Sequence, residues 1–322
     1  MNEALLSAAA QELKAARNVL ICAHIRPDGD AIGSLLGLGL TMQAAGKRVE
    51  MVLVDGLPTS YKFLSGTEQI VNRPSGVFDL IVTVDCSDTS RIGSALDGYR
   101  APDINIDHHI TNEYFAKINL VDDTYVATSE ILADFLPQAG FALTQPAAAA
   151  LLTGIVTDTL GFRTANMTAR AFRVAANLLE FEIDLPEIFD KTLIQRTFEA
   201  VEYWASGLAR LRKDDGIVWT SLTIQDRKEA KYPGRDDADL INILSGISEI
   251  DIAIVFVEQN PHRIKVSWRA RSGLDVSQVA LGFGGGGHPA AAGADIRGTL
   301  PEVQEQVLAA TIALLREHSY AS

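Results

Sequence analysis

Acidic and imidazole side chains gather in four short stretches of the first half of the sequence. The stretches are AHIRPDGDAIGS at 23–34, VTVDCSD at 82–88, NIDHH at 105–109 and GIVTDT at 154–159. The acidic and imidazole residues that could carry chemistry there are His24, Asp28, Asp30, Asp85, Asp107, His108, His109 and Asp158. Carboxylates with a minority of imidazoles and no thiolate suit Mn²⁺, Mg²⁺ or Co²⁺ better than a structural zinc. Because four of the carboxylates would balance the charge of two divalent cations, the sequence predicts a dinuclear metal site.

Each of these residues also has a purely structural interpretation. Asp28 and Asp30 suit a helix cap, and Asp85 and Asp158 suit the ends of a strand and a helix. That interpretation weakens when the residues are taken together. Burying several like charges in one place is costly unless cations neutralise them.

Apolar strand-like segments alternate with helical ones through the first half of the chain. The predicted strands are NVLICAH, RVEMVLVDG, FDLIVTVDCSD and DINIDHH, and the predicted helices are DAIGSLLGLGLTMQAAG, TSEILADFLPQAG, PAAAALLTGIVTDTL and TARAFRVAANLLEF. This alternation is typical of a parallel sheet that is covered on both faces, where ligands gather at the carboxyl ends of the strands. Such a sheet would deliver the acidic stretches to one edge.

The second half has a different pattern. A helical segment, DLPEIFDKTLIQRTFEAVEYWASGLARL, precedes the predicted strands GIVWTSLTI, IDIAIVFVEQN and RIKVSWRAR and the predicted helices DADLINILSGI and EVQEQVLAATIALLREH. We therefore expect an α/β protein with a larger parallel-sheet domain at 1–185, a helical linker at 186–204 and a smaller α/β domain at 205–322. The active site is expected in the cleft between the domains.

Two motifs of the second domain suit anion binding. GFGGGGHPAAAG at 282–293 lacks the Lys-Ser/Thr of a P-loop, but its glycines would expose backbone N–H groups next to His288. RIKVSWRARSG at 263–273 places basic residues at alternate strand positions, which predicts either a binding face or a solvated strand edge. Alternation puts Trp268 on the opposite face, where core packing is favoured over stacking on a base.

Composition limits the function further. The chain has 322 residues, of which 47% are hydrophobic and 21% charged, and its formal charge is −13. Residues 1–190 hold 13 basic and 24 acidic side chains, so this surface should not grip long nucleic acid but suits divalent cations. No apolar stretch approaches a membrane span, and the N-terminus lacks a signal-peptide pattern, so we expect a cytoplasmic protein. Cys22 and Cys86 fall in predicted strands, where small core hydrophobes are favoured over a disulfide.

The four acidic stretches occur in the order and spacing of the DHH phosphoesterase superfamily. FGGGGHPAAAG and KVSWRARSGLDVSQVA resemble the DHHA1 domain that follows in many members. The resemblance covers nearly the whole chain, and the overall length is similar to the subfamily of oligoribonucleases (nanoRNases) and 3′-phosphoadenosine 5′-phosphate phosphatases.

The resemblance implies a role for each motif residue of the first domain. His24 and Asp28 would bind one metal ion. Asp30, His108 and Asp158 would bind the other, and Asp85 would bridge the two. Asp107 would orient an adjacent imidazole, as metal-bound histidines usually require, and His109 would face the substrate phosphate.

The same resemblance implies substrate contacts in the second domain. Arg269 would be the principal contact, a bidentate partner for a phosphate. Ala270 departs from the family pattern, since related proteins often have Ser there. The further substrate-binding residues would be Arg271, Gly285, Gly286, Gly287 and His288.

The function implied is that of a Mn²⁺-dependent phosphohydrolase, an exonuclease for very short substrates, in which two metal ions activate water. Its substrates would be short oligonucleotides, dinucleotides and also 3′-phosphoadenosine 5′-phosphate. A cyclic dinucleotide phosphodiesterase of the c-di-AMP type is the first alternative, and a non-catalytic metal-dependent nucleotide sensor is the alternative of another class. Related proteins are often homodimers, although no stripe in this sequence requires one.

Overall fold

The structure is a computed structural model that describes residues 2–271 and 273–321. Its contacts divide the chain into two compact units, Met1–Gln195 and Arg196–Ser322. In the described part of the chain, no helix combines the length and apolar character needed to cross a membrane.

The first unit is built on a parallel sheet. Its strands, within the described residues, are β1 (Asn18–Cys22), β2 (Arg48–Val52), β3 (Ile70–Val71), β4 (Leu80–Val84), β5 (Ile104–Asp107) and β6 (Ile118–Val121). They are ordered β3-β2-β1-β4-β5-β6, and every neighbouring pair is parallel. The predicted parallel sheet is confirmed. The edge strands β3 and β6 were not predicted. β3 has only two residues, and β6 is mostly half-buried, so neither forms a buried apolar run.

Apolar side chains that include Ile92 and Ala95 cover one face of this sheet. The other face packs against the α-helices of the unit. They are α1 (Glu3–Ala15), α2 (Gly29–Ala44), α3 (Thr128–Gln138), α4 (Gln145–Asp158), α5 (Ala169–Leu179) and α6 (Leu185–Phe189). Side-chain caps begin several of them: the hydroxyl of Thr144 accepts the Ala147 N–H of α4, and that of Thr168 accepts the Ala171 N–H of α5. Cys22 and Cys86 are free and buried, as expected for core residues, and burial raises the pKa of Cys22 to about 12.

Helices α2 and α4 meet backbone to backbone. One face of α2 presents a glycine at every fourth position, namely Gly29, Gly33 and Gly37. A Cβ on Gly33 would lie 2.5 Å from the Ala150 carbonyl oxygen and 2.8 Å from the Gly154 nitrogen, both in α4. The glycines therefore allow a close approach of α2, which begins near Asp30, and α4, which ends at Asp158.

The segment predicted as a linker is divided between the two units. It contains α6, a π-helical turn at Asp190–Ile194 and the start of α7 (Phe198–Leu208). Phe189 and Leu193 pack against the core of the first unit, whereas Tyr203 is buried in a core of the second.

The second unit contains a mixed sheet. Its described strands are β7 (Arg212–Asp214), β8 (Ile217–Leu222), β9 (Ile252–Asn260), β10 (Arg263–Ala270), β11 (Gly286–His288) and β12 (Ala291–Arg297), in the order β11-β12-β10-β9-β8-β7. Strands β8 and β9 are parallel, and the other pairs are antiparallel. The remaining described helices are α8 (Ile224–Glu229), α9 (Leu240–Leu244), α10 (Val276–Gly282) and α11 (Leu300–Ala321). Trp268 is fully buried and donates from Nε1 to Thr311 Oγ1 at 3.2 Å, which confirms its predicted core position.

Candidate metal centre

The turn between β1 and α2 holds the first two predicted ligands. His24 is buried, and its Nδ1–H donates to the Ile25 carbonyl oxygen at 2.8 Å, which leaves Nε2 without a proton in the neutral ring. That Nε2 atom lies 3.6 Å from Asp28 Oδ2 and 3.4 Å from Asp85 Oδ2. It is buried and finds no hydrogen-bond partner among the described residues. A buried imidazole nitrogen that faces two carboxylates has the donor set of a cation site.

Asp30 is held by the first turn of α3. Its carboxylate accepts the Thr128 N–H at 2.6 Å and the Ser129 N–H at 2.9 Å. A helix N-terminus favours negative charge because its first N–H groups lack partners in the helix. The hydroxyl of Thr128 also donates to Asp85 Oδ1 at 3.0 Å. The start of α3 thus fixes two of the predicted ligands at once.

The turn after β5 and the end of α4 supply the next ligands. His108 Nε2 lies 3.9 Å from Asp30 Oδ2, 3.8 Å from Asp85 Oδ1 and 3.6 Å from Asp158 Oδ2. Asp158 is the last residue of a helix and is half-buried, so it reaches the cluster from a helix and not from a strand end.

Asp107 and His109 form a tight pair beside these groups. Asp107 is fully buried, and its Oδ1 atom accepts the His109 Nδ1–H at 2.6 Å. His109 Nδ1 also lies 3.7 Å from Asp85 Oδ1. The pair therefore borders the cluster through Asp85.

The electrostatics of the cluster favour a cation. Burial, together with the charge of Asp85, raises the pKa of Asp30 to about 8. Burial alone would raise the pKa of Asp85 as well, but the imidazoles of His24, His109 and His108 hold it far below its usual range. Burial would lower the pKa of His24, yet Asp28 and Asp85 outweigh it and raise that pKa to about 10. Without a metal ion, protons therefore supply the positive charge.

Among the residues that the structure describes, three groups could hold a metal ion. They are His24, Asp28 and Asp85; Asp30, His108 and Asp158; and Asp85, His108 and His109, with ligand atoms inside each group within 4.8 Å of one another. The first two groups coincide with the two predicted ligand sets. Asp85 contacts both sets through different oxygens, one near His24 and the other near His108. The donor types and the buried Nε2 of His24 fit divalent cations.

The second unit contains the predicted substrate-binding residues. Arg269 lies near the end of β10, and burial lowers its pKa. Its Nη1 donates to the Trp268 carbonyl oxygen at 3.1 Å. Arg271 lies beyond the strand, exposed, and its backbone N–H donates to the Asp251 carbonyl oxygen at 2.9 Å. The strand alternation that groups the basic residues therefore ends before Arg271.

The glycine run is not an open loop. The Gly284 and Gly285 N–H groups donate to Leu281 and Ala280 of α10, and Gly286–His288 pairs with β12. A Cβ on Gly285 would lie 2.2 Å from the Gly293 carbonyl oxygen. The expectation that the whole run exposes its N–H groups was wrong, because part of it packs a hairpin. His288 is exposed at the end of β11.

Two known protein domains match the sequence. Residues 18–155 match the DHH family, N-terminal domain, and residues 224–317 match the DHHA1 domain. The bifunctional oligoribonuclease and PAP phosphatase NrnA of Thermus thermophilus is 34% identical over 97% of this chain and 94% of its own length. The chain belongs to the DHH family.

Two further comparisons extend this assignment. The Bacillus subtilis bifunctional oligoribonuclease and PAP phosphatase is 25% identical over 93% of this chain and 95% of its own length. The crystal structure of an exopolyphosphatase-related protein from Bacteroides fragilis shares the fold, with a TM-score of 0.89, 23% identity, and coverage of 99% of this chain and 98% of that one. The DHH and DHHA1 matches confirm the resemblance seen in the sequence.

Sequence reasoning missed the residues that hold the predicted ligands in place. Thr128 and Ser129 anchor Asp30, and Asn112 donates to Asp107 Oδ2 at 2.6 Å. The Thr-Ser pair at the start of a predicted helix is a recognisable capping signal, but its partner lies almost one hundred residues away in the chain. Asn112 has no local signal at all.

Proposed function

We propose that this DHH-family protein is a hydrolase that cleaves the phosphodiester bonds of very short oligonucleotides and dinucleotides with the help of two divalent metal ions. The observation that carries the proposal is the pair of ligand groups that share Asp85. The curated relatives from Thermus thermophilus and Bacillus subtilis, which match nearly the whole chain, are oligoribonucleases and PAP phosphatases. By this argument 3′-phosphoadenosine 5′-phosphate is a further substrate.

We assign one metal ion to His24 and Asp28, the other to Asp30, His108 and Asp158, and a bridging role to Asp85. Manganese is the proposed metal, since carboxylates with a minority of imidazoles suit it. When bound, such ions lower the pKa of a coordinated water and withdraw charge from a phosphoryl oxygen.

The side chains around the ligands have their own tasks. Asp107 keeps a proton on His109 Nδ1 through their 2.6 Å hydrogen bond. We assign the contact with the substrate phosphate to His109, whose ring this bond orients. In the second unit, Arg269 and Arg271 are proposed to bind the substrate phosphates, together with Gly286, Gly287 and His288. Gly285 is left out, because its N–H donates to the Ala280 carbonyl oxygen. Arg269 suits the task because a guanidinium binds phosphate through paired hydrogen bonds.

The test is a competition assay on the purified protein in Mn²⁺. Equimolar pApA, a five-residue RNA, a twenty-residue RNA, 3′-phosphoadenosine 5′-phosphate and cyclic di-AMP are mixed, and products are resolved over time. We expect fast loss of pApA and the pentamer while the long RNA and the cyclic compound persist. Preferential opening of cyclic di-AMP would assign the protein to cyclic dinucleotide turnover instead.

Two controls separate hydrolysis from binding alone. Chelation of the metal should stop all turnover, and Asp85→Asn should do the same at unchanged fold. Asp88→Asn is the matched control in the same turn, because Asp88 caps the 3₁₀-helix Thr89–Ile92 through the N–H groups of Ser90 and Arg91. Nucleotide binding without product in Mn²⁺ would refute the enzyme and favour a nucleotide sensor.

A further inference from the structure

Asp85 has an unusual backbone conformation. Its φ is 57°, in the left-handed region that non-glycine residues seldom adopt, although Asp tolerates it better than most. The residue ends the pairing of β4, and its N–H donates to the Ile106 carbonyl oxygen at 2.9 Å. A conformation of this kind persists only where the surroundings fix it. The hydrogen bonds to the next residue, Cys86, show which groups hold this backbone conformation.

Two buried amide side chains hold the Cys86 carbonyl oxygen. Asn105 Nδ2 donates to it at 3.1 Å, and Asn112 Nδ2 donates at 3.0 Å. Asn105 is itself oriented by Thr83, whose hydroxyl donates to Asn105 Oδ1 at 2.8 Å. The Cys86–Ser87 peptide, which begins one residue after Asp85, is therefore anchored from β5 and from the loop after it.

Asn112 also contacts the pair formed by Asp107 and His109. Its Nδ2 donates to Asp107 Oδ2 at 2.6 Å, and its Oδ1 accepts the Tyr114 N–H at 2.7 Å. Asp107 in turn accepts from His109 through its other oxygen. The Asn112 side chain thus joins the turn that carries Asp85 to Asp107, which orients His109. Both its oxygen and its nitrogen form hydrogen bonds.

We infer that Asn112 is a positioning residue, which sets the placement of Asp85 relative to His109 through the Cys86 carbonyl and the Asp107 carboxylate. The inference rests on the proposed metal site. It depends on the two N–H donors of the amide. Asn112→Asp keeps the shape of the side chain but points an oxygen at two acceptors, so the variant should misplace both partners.

The chain supplies a matched control in Asn119. This residue follows in β6 and also joins backbone groups: its Oδ1 accepts the Ala116 N–H at 3.1 Å and its Nδ2 donates to the Ala116 carbonyl oxygen at 2.7 Å. No hydrogen bond of Asn119 within the described structure reaches a proposed metal ligand. Asn119→Asp thus disturbs the same loop without the link that Asn112 makes.

The experiment is a Mn²⁺ titration of the full-length wild type, Asn112→Asp and Asn119→Asp by calorimetry and electron paramagnetic resonance, below the unfolding temperature of all three. We expect Asn112→Asp to weaken Mn²⁺ binding by about 10- to 100-fold. The signal of a spin-coupled pair should give way to that of isolated ions. Asn119→Asp should keep both the affinity and the coupled signal. Asn112→Ser serves in place of Asn112→Asp if the latter does not fold, with the same expectation.

The outcomes are distinct. Unchanged affinity and coupling in a folded Asn112 variant would overturn the inference while the proposed function stands. Equal losses in the Asn112 and Asn119 variants would also overturn it, since the loop would then act only through general stability. A wild type that binds no Mn²⁺ would overturn the proposed function and this inference together.

Discussion

Asp28 uses its two carboxylate oxygens for different purposes. Oδ1 accepts the Asp30 and Ala31 N–H groups, each at 3.1 Å, and so caps α2. Oδ2 faces His24 Nε2 at 3.6 Å. The structural interpretation and the metal interpretation of this residue are therefore compatible, because a carboxylate has two oxygens and the cap needs one.

A pair of substitutions separates these two tasks. Asp28→Ser retains a capping oxygen, whereas Asp28→Ala does not, so the serine variant should be more stable by about 1 kcal/mol. Both variants lack Oδ2, so both should lose the same amount of Mn²⁺ affinity. Urea unfolding in a chelator measures the first effect, and calorimetric titration measures the second. Equal stabilities would show that the cap contributes nothing to α2.

The residues of the proposed metal site could be identified in the sequence, but the residues that support them could not. His24, Asp28 and Asp30 lie within seven residues, and NIDHH is recognisable because an Asp precedes two adjacent histidines. The anchors come from elsewhere in the chain: Ser129 meets Asp30 across 99 positions, and Asn112 meets Cys86 across 26. Hydrogen bonds between distant segments leave no periodic trace in a single sequence.

At the scale of elements, the contact between α2 and α4 brings Asp30 and Asp158 together. It depends on glycine, since the Cβ of an alanine at Gly33 would meet backbone atoms of α4. A backbone neighbour is unable to rotate away as a side chain can, so one helix must shift.

We therefore expect Gly33→Ala to destabilise the protein by about 1–3 kcal/mol and to weaken Mn²⁺ binding as the two carboxylates separate. Gly282→Ala is the control, because Gly282 also lies in a helix and a Cβ there would meet nothing within 4 Å. That variant should be neutral or more stable by up to about 1 kcal/mol. Thermal unfolding with and without Mn²⁺ measures both. A Gly33 variant as stable as the control would refute the close contact.

Asp103 directly precedes β5, and its side chain bonds to the backbone of β4. Its carboxylate accepts the Ile81 N–H at 2.9 Å and pairs with Arg100 at 2.5 Å and Lys117 at 2.6 Å. Burial alone would raise the pKa of Asp103, but Lys117, the Ile81 amide and Arg100 outweigh it and hold that pKa below its usual range. The ionised form therefore stabilises the folded state.

The consequence is a defined pH dependence. The contribution of Asp103 is complete above the unfolded-state pKa of about 3.9 and disappears as pH falls through the lower folded-state pKa. Asp103→Asn should cost about 1–2 kcal/mol at pH 7, and the difference from the wild type should shrink towards zero below that window. Urea unfolding at a series of pH values measures the difference. A difference that stays constant into strong acid would contradict the assignment.

Strands that are nearly continuous apolar runs could be predicted, whereas very short or glycine-rich strands could not. β1, β4 and β5 are nearly continuous runs of buried residues. β3 has only two residues, and β11 is formed by a glycine run that shows no strand pattern. In β11 the partner strand and the close approach at Gly285 determine the conformation, and neither is visible in the local sequence.

At the level of the whole molecule, the two units have separate hydrophobic cores. The first unit has a core that includes Ile21, Leu36 and Val84, and the second has one that includes Phe256, Ile264 and Val307. Every proposed metal ligand lies in the first unit.

A fragment of residues 1–195 should therefore fold and bind Mn²⁺ with the stoichiometry of the full chain. It should cleave pApA far less efficiently, since the proposed phosphate-binding residues are missing. Circular dichroism, Mn²⁺ titration and turnover measure these properties. A fragment that ends at 185 is the control, because it lacks Phe189 and Leu193, which pack on the first core. It should be less stable. A folded 1–195 fragment without Mn²⁺ binding would contradict the placement of the ligands.

The proposed ligands are dispersed along the chain, from His24 to Asp158, and this has a kinetic consequence. They meet only after β1, β4 and β5 have paired, and such non-local contacts form late because long loops must close first. A metal ion that needs the assembled cluster has little to bind in the folding transition state. Metal loading should therefore leave the folding rate nearly unchanged and lower the unfolding rate. The folded holoprotein should persist longer, although it forms no faster.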